Sequence, residues 1–244
     1  MGQRTYSTRS LHGQVVHELG RRIVTGDIDE GAVLPNETEL GASFDVSRTA
    51  LREGIKVLTA KGLLASRTRT GTRVRPRNEW NMLDPDVLAW RLSEPAQIDT
   101  FLRDLVEFRQ AIEPLAASLA AQRAADDEIA EIEQAYLEMV AAGEDVEAAV
   151  EPDLRFHQLI LQASGNDLLA PLAALIETAL TASFRMSTPA IKINALAVHK
   201  DVLDAIKVHD SSAAWKAMFN LLDQAISYNT AVLEQIRQTE PANV

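Results

Sequence analysis

The chain has 244 residues, 46% of them hydrophobic, and no cysteine, which excludes a disulfide framework and a thiolate metal site. No apolar run approaches the length of a membrane span and the opening MGQRTYSTRSLHGQ lacks an apolar signal core, so a cytoplasmic protein without a membrane partner is expected. The net charge of −11 is unevenly spread: residues 1–79 carry +4 and residues 80–244 carry −15, a division that predicts two domains with different partners. Phosphate binding needs local positive charge, which the first segment has.

Leu11, Val15, Val16, Leu19 and Ile23 recur at helical spacing and Gly26 follows as a C-terminal stop, predicting a first helix. Asn36 and Glu39 have the spacing of a capping box, opening a short second helix to about Ser43. Ser47 caps a third helix that ends at Lys61-Gly62; Leu51, Ile55 and Leu58 make its buried face, while Arg48, Arg52 and Lys56 line another, with Thr49 beside them. LLASRTR and TRVRP flank a glycine-containing turn and predict a β-hairpin, with Arg67, Arg69, Arg73 and Arg75 at alternate positions. A cationic helix face alone is ordinary solvated surface. Helix, turn, cationic helix and basic hairpin in this order are the layout of a winged helix-turn-helix, whose recognition helix enters the major groove.

The run LPNETELGASFDVSRTALREGIKVLTAKGLLASRTRTGTRV resembles the DNA-binding domain of the GntR family of bacterial regulators over most of residues 11–76. The resemblance implies operator contacts from Arg48, Thr49 and Arg52, with Ser47 and Arg67 beside them, and from the wing-tip Gly71. The family commonly has Arg where this chain has Thr38, which implies a changed contact there and a different operator sequence.

Asp84-Pro85 reads as the start of a short helix, 85–92, broken by Ser93-Glu94-Pro95. From there the pattern is helical: 97–123, 126–141, 145–164, 167–186, 191–208 and 211–237, with turn signals at Gly143, Ser164-Gly165-Asn166, Pro189 and His209-Asp210. Polar groups fall on apolar stripes. Arg109 shares a stripe with Leu102, Leu105, Ile112 and Leu119; it is either paired internally, with an acid such as Glu113, or set to hold an anion. Asp153 and His157 share a face with Phe156 and Ile160, and His199 lies among Leu196, Val202, Leu203 and Ile206. A single such histidine is ordinarily a satisfied core residue, but two histidines, an acid and an arginine on separate helices make the donor set of a bundle-core cation or anion site.

The motifs D-x-x-FHQLIL-x-ASGN and H-x-x-VL-x-AI resemble the FCD effector domain of FadR-type GntR regulators over about 98–235. The resemblance implies an antiparallel helical bundle and one divalent transition metal, Zn²⁺ or similar, held by Asp153, His157 and His199. The family's third histidine falls at Leu221, so the site is incomplete, and a metal-free site stays open in which the two histidines hydrogen-bond an acidic effector while Arg109 and Arg155 carry its charge. It also implies that Arg109 binds an effector carboxylate. PRNEWNMLDPDVLAW, Thr38 and Leu221 together narrow the resemblance to regulators of sugar-acid catabolism, which implies an aldonate effector and a further contact from Arg155.

The expected protein is mainly α. Residues 1–78 form a winged helix-turn-helix, 79–96 a linker with a short helix, and 97–244 an all-α effector and dimerisation domain. The function that follows is a homodimeric repressor, not an enzyme, that binds pseudo-palindromic double-stranded operator DNA and is released by a small carboxylate. The rival expectations are a metal-dependent hydrolase or lyase using Asp153, His157 and His199, and an architectural DNA-binder without a ligand pocket.

Overall fold

The computed structural model describes residues 10–67, 71–93, 95–173, 175–177 and 189–224. The chain divides into two compact units, Met1–Ile98 and Asp99–Val244.

In the first unit, α1 (Leu11–Val24) starts where Ser10 Oγ accepts from the Gly13 amide at 3.2 Å, and buries Val15, Val16, Leu19 and Ile23. α2 (Glu37–Phe44) opens on the capping box: Asn36 Oδ1 accepts from the Thr38 and Glu39 amides, each at 3.0 Å, while Glu39 reaches back to the Asn36 amide. α3 (Arg48–Ala60) is capped by Ser47, whose Oγ accepts from the Ala50 amide, and it buries Leu51, Ile55 and Leu58 against α1 and α2. Strands β1 (Leu64–Arg67) and β2 (Gly71–Val74) pair antiparallel, with Leu64 opposite Val74 and Arg67 opposite Gly71; Val33 adds an isolated bridge to Arg73. Arg75 lies one residue beyond β2, and Arg69 lies outside the described residues.

The segment after the wing packs with this unit. A 3-10 turn at Arg77–Glu79 leads to Trp80, whose Nε1 donates to Arg75 O. α4 (Pro85–Leu92) begins with Asp84 as cap and Pro85 in its first turn, where the missing N–H costs nothing. α4 lies on α1: Trp90 Nε1 donates to His17 Nδ1 at 3.1 Å, and the indole fills the space over Gly20, where an added Cβ would stand 2.3 Å from Trp90 Cη2. The buried Lys61 ammonium, at the end of α3, lies 2.8 Å from Asp84 and 2.7 Å from Asp86, which ties the two helices by charge.

The second unit is helical throughout its described residues: α5 (Pro95–Arg123), α6 (Asp126–Ala141), α7 (Val146–Ala163), α8 (Pro189–Lys207) and a helical stretch at 211–224. α6 packs on both α7 and α8. One core gathers Ala116, Ala120, Ile132, Phe156, Ile160, Val202, Ile206 and Met218, among others. Three boundaries differ from the sequence expectation, the first being α5, which begins at Pro95 rather than after it. Pro189 is the first residue of α8 rather than a turn before it, since the first helical turn needs no donor there. The expected helix at 167–186 does not begin at 167: Asn166 Oδ1 accepts from the Leu168 amide to hold a turn, and Ala170–Leu172 follows as a 3-10 turn. Positions 178–186 and 225–237 of the expected helices lie outside the described residues.

Candidate functional site

Two groups of residues answer to the sequence expectations, one in each unit. In the first, α2 meets the N-terminal half of α3. Arg48 Nη2 donates to Thr38 Oγ1 at 3.2 Å. The Arg52 guanidinium is held by Glu37: Nε lies 3.1 and 2.9 Å from the two carboxylate oxygens, and Nη2 lies 2.9 Å from Oε2. All four side chains are at the surface, as is Thr49, while Ser47 is spent as the cap of α3. Arg52 holds the Glu37 carboxyl below its usual range. A cleft of about 600 Å³ brings Glu37, Leu40 and Ile55 to the same surface as Ser66, Gly71 and Thr72 of the hairpin. Gly71 stands at the wing's turn with φ +79°, a conformation that side-chain-bearing residues rarely adopt. Arg67 lies opposite it in the register; its side chain lies outside the described residues. Arg73 donates to Gly31 O at 2.7 Å and Arg75 pairs with Glu79, so both of these wing arginines are engaged within the unit.

In the second unit, α5 supplies Arg109 and Glu113 one turn apart, α7 supplies Asp153 and His157 one turn apart, and α8 supplies His199; all five are buried. Arg109 donates through Nε to Glu113 Oε1 at 2.5 Å, and its Nη2 lies 3.4 Å from Oε2. The internal pairing considered for Arg109 is therefore present. Glu113 Oε2 also lies 2.5 Å from His157 Nδ1, and Asp153 Oδ1 lies 2.9 Å from His199 Nε2. Neither of these two contacts is aligned as a hydrogen bond, so both ring nitrogens are buried without a hydrogen-bond partner. His199 Nδ1 donates to Ala195 O at 2.7 Å, which turns Nε2 toward Asp153.

Burial pushes the carboxyls of Glu113 and Asp153 up, but the Arg109 guanidinium and the imidazoles that face them bring both down. Arg109 and His157 bring Glu113 down to about 2, and His199, His157 and Arg109 lower Asp153. Both acids are anionic at neutral pH. Among the described residues, Asp153, His157 and His199 form a group whose ligand atoms lie within 4.8 Å of one another. Asp153 with one imidazole from each of α7 and α8 is a donor set of the kind that holds a divalent cation. Leu221, which the resemblance puts where a further histidine would ligate, is buried in the apolar core. Arg155 is not brought into this cluster: its Nη1 lies 2.9 Å from Glu138 on α6, at the half-exposed side of α7.

A winged helix-turn-helix with an all-α unit holding a buried Arg/Glu/Asp/His cluster defines a two-part bacterial transcription regulator. Residues 11–74 match the bacterial regulatory proteins of the gntR family, and residues 104–224 match the FCD domain. The chain is 37% identical over 212 residues to the galactonate operon transcriptional repressor of Escherichia coli (strain K12), covering 86% of this chain and 92% of that one. It is 36% identical over 225 residues to the HTH-type transcriptional regulator YieP of the same organism, covering 90% and 96%. The solved structure of a Streptococcus agalactiae GntR protein aligns over 88% of this chain and 99% of that one, with a TM-score of 0.51 and 26% identity. The chain belongs to the GntR family of transcription regulators, in the FadR-type branch that carries an FCD domain. These relatives are regulators rather than enzymes, so the hydrolase or lyase alternative is set aside. No helix among the described residues is long and apolar enough to cross a membrane.

Sequence reasoning leaves two participants without a role. Glu37 falls within the LPNETEL motif, and Lys61 reads only as a helix end; their partners lie 15 and 23 residues away, beyond any local pattern.

Proposed function

We propose that the chain is a homodimeric repressor of a sugar-acid operon. Residues 1–78 bind a pseudo-palindromic operator, and the unit beyond residue 97 binds an aldonate that releases it. In this reading Arg48, Thr49 and Arg52 face base edges, while Thr38, Arg67 and Gly71 meet the DNA backbone; Ser47 keeps the recognition helix in register. The observation that carries the effector half is the buried convergence of Arg109, Asp153, His157 and His199, with two ring nitrogens lacking hydrogen-bond partners. A cluster so polar inside an apolar bundle is costly without a ligand, and Arg109 suits the carboxylate of a 2-hydroxy acid.

Asp153, His157 and His199 would hold one divalent cation, which when bound supplies a Lewis-acid anchor for the carboxylate and 2-hydroxyl of the acid. Leu221 removes one protein ligand and leaves that position to the effector. The galactonate operon named for the E. coli relative makes galactonate the first aldonate to test. The experiment selects a duplex from a random DNA pool with the purified protein, then titrates the complex with D-galactonate, D-gluconate and D-galactose in a gel-shift assay. Release by an aldonate but not by the neutral sugar supports the reading; enrichment of no sequence overturns its DNA half, and release by none of the acids overturns its effector half.

A further inference from the structure

Glu37 lies in the first turn of α2, where any acid suits the helix dipole, but its position on the surface beside the wing asks for more than that. It is an acid on the surface that the recognition helix shares with the wing, lining the same cleft as Gly71 and Thr72, where an approaching duplex brings a row of phosphates. Its ion pair with Arg52 does not explain it as a stability device, because both side chains are exposed, 43% and 63%, and such pairs contribute little to folding. Nor does it cap α2, a task performed by Asn36 and Glu39.

From the bidentate Glu37–Arg52 contact and the neighbouring Thr38–Arg48 hydrogen bond, we infer that α2 positions both recognition-helix arginines and that Glu37 is a specificity-determining residue for the DNA sequence read by Arg52. Two effects combine. Glu37 occupies the Nε/Nη2 side of the guanidinium, which fixes the side chain and leaves the outer hydrogens of Nη1 and Nη2 to address a guanine, the edge that bidentate recognition of O6 and N7 uses. Glu37 also cancels the charge of Arg52 toward any phosphate and repels the backbone of an ill-fitting duplex. Discrimination is a difference of affinities, and an element that weakens binding to wrong sequences raises it. Thr38 completes the arrangement: a neutral acceptor holds Arg48, where a cation at the same place would push it away.

This inference rests on α3 being the recognition helix. Its test uses the duplex enriched from a random pool by the wild-type chain, a scrambled duplex of equal length, and the variants Glu37→Ala and Glu37→Gln, titrated at several salt concentrations. Both variants are expected to bind scrambled DNA more tightly, with a salt dependence steeper by about one counterion. In Glu37→Ala the preference for selected over scrambled DNA falls about tenfold and base selection broadens at one position of each half-site. In Glu37→Gln, whose amide oxygen still accepts from Arg52 Nε, base selection is retained. Unchanged helical content is expected in both, because the capping box is intact. A Glu37→Ala chain with the wild-type preference, salt slope and selected sequence overturns the inference alone. Failure of the wild-type chain to enrich any sequence overturns the recognition-helix reading beneath it.

Discussion

The Glu113 carboxylate stands 2.5 Å from His157 Nδ1 while it also binds Arg109, so one buried acid joins the arginine of α5 to a histidine of α7. Arg109 brings a positive charge into a buried core, and Glu113 is the anion that makes this tolerable. Removing one member of a buried pair leaves the other uncompensated. Glu113→Ala should therefore cost about 3–5 kcal/mol of stability in chemical denaturation of the full chain. Glu113→Gln should cost less, because it keeps the shape and one acceptor. Equal stability of wild type and Glu113→Ala would show that Arg109 takes its counter-charge elsewhere.

Metal content follows from the gathering of Asp153, His157 and His199. Protein purified without chelator or histidine tag should carry a divalent transition metal, lose it to EDTA, and lose it equally in His199→Ala, as read by elemental analysis. Glu113, by orienting His157, should matter as outer partners of ligating histidines do, its removal weakening metal affinity by about 10- to 100-fold. Leu221→His should bind metal more tightly and gain thermal stability on metal addition, since a ligand that prefers the folded state stabilises it. Less than about a tenth of an equivalent of metal in wild type, with and without D-galactonate, contradicts a metal site.

On the DNA side, Arg48→Ala and Arg52→Ala should each cost about 1–3 kcal/mol in binding the selected duplex, read by gel shift at fixed salt. Their melting curves should match wild type, because both side chains are exposed and their partners Thr38 and Glu37 are solvated once released. Unchanged affinity in both would remove α3 from the interface.

α4 is fastened to the DNA-binding unit by shape. Gly20→Ala places a methyl group where the Trp90 indole now lies and should destabilise the unit by about 1–3 kcal/mol through overpacking. Trp90→Ala opens a cavity and should cost about 3–5 kcal/mol. The double variant should lose less than the sum, because the indole that clashes with the added methyl group is gone. Additive costs would show that Trp90 does not occupy the Gly20 slot in solution.

Much of this architecture is legible in local chemistry. The capping box at Asn36, the Ser47 cap and the Asp84-Pro85 start lie where their short-range signals put them, because each satisfies backbone amides within three residues. The inward positions of Asp153, His157 and His199 follow from polar residues interrupting apolar stripes. Long-range pairing is not legible: nothing near Lys61 announces Asp84 and Asp86, and nothing near Arg52 announces Glu37. Arg155 illustrates a different limit. It sits two residues from Asp153, about 200° around the helix by the 3.6-residue period, and so meets Glu138 on α6 rather than the buried cluster.

The coupling of acid binding to DNA release is tested most directly in Arg109→Ala. The variant leaves Glu113 uncompensated, so its folding is checked first by circular dichroism; the folded chain should bind the selected duplex with wild-type affinity, because residue 109 lies in the second unit. It should show at least about tenfold weaker D-galactonate binding by calorimetry, since a charge-assisted hydrogen bond to the carboxylate is lost. It should accordingly keep its DNA at galactonate concentrations that empty the wild-type complex. Glu113→Gln, which leaves Arg109 in place, should still release. An Arg109→Ala chain that folds, binds the duplex, and lets it go at the wild-type galactonate concentration would contradict Arg109 as the reader of the acid.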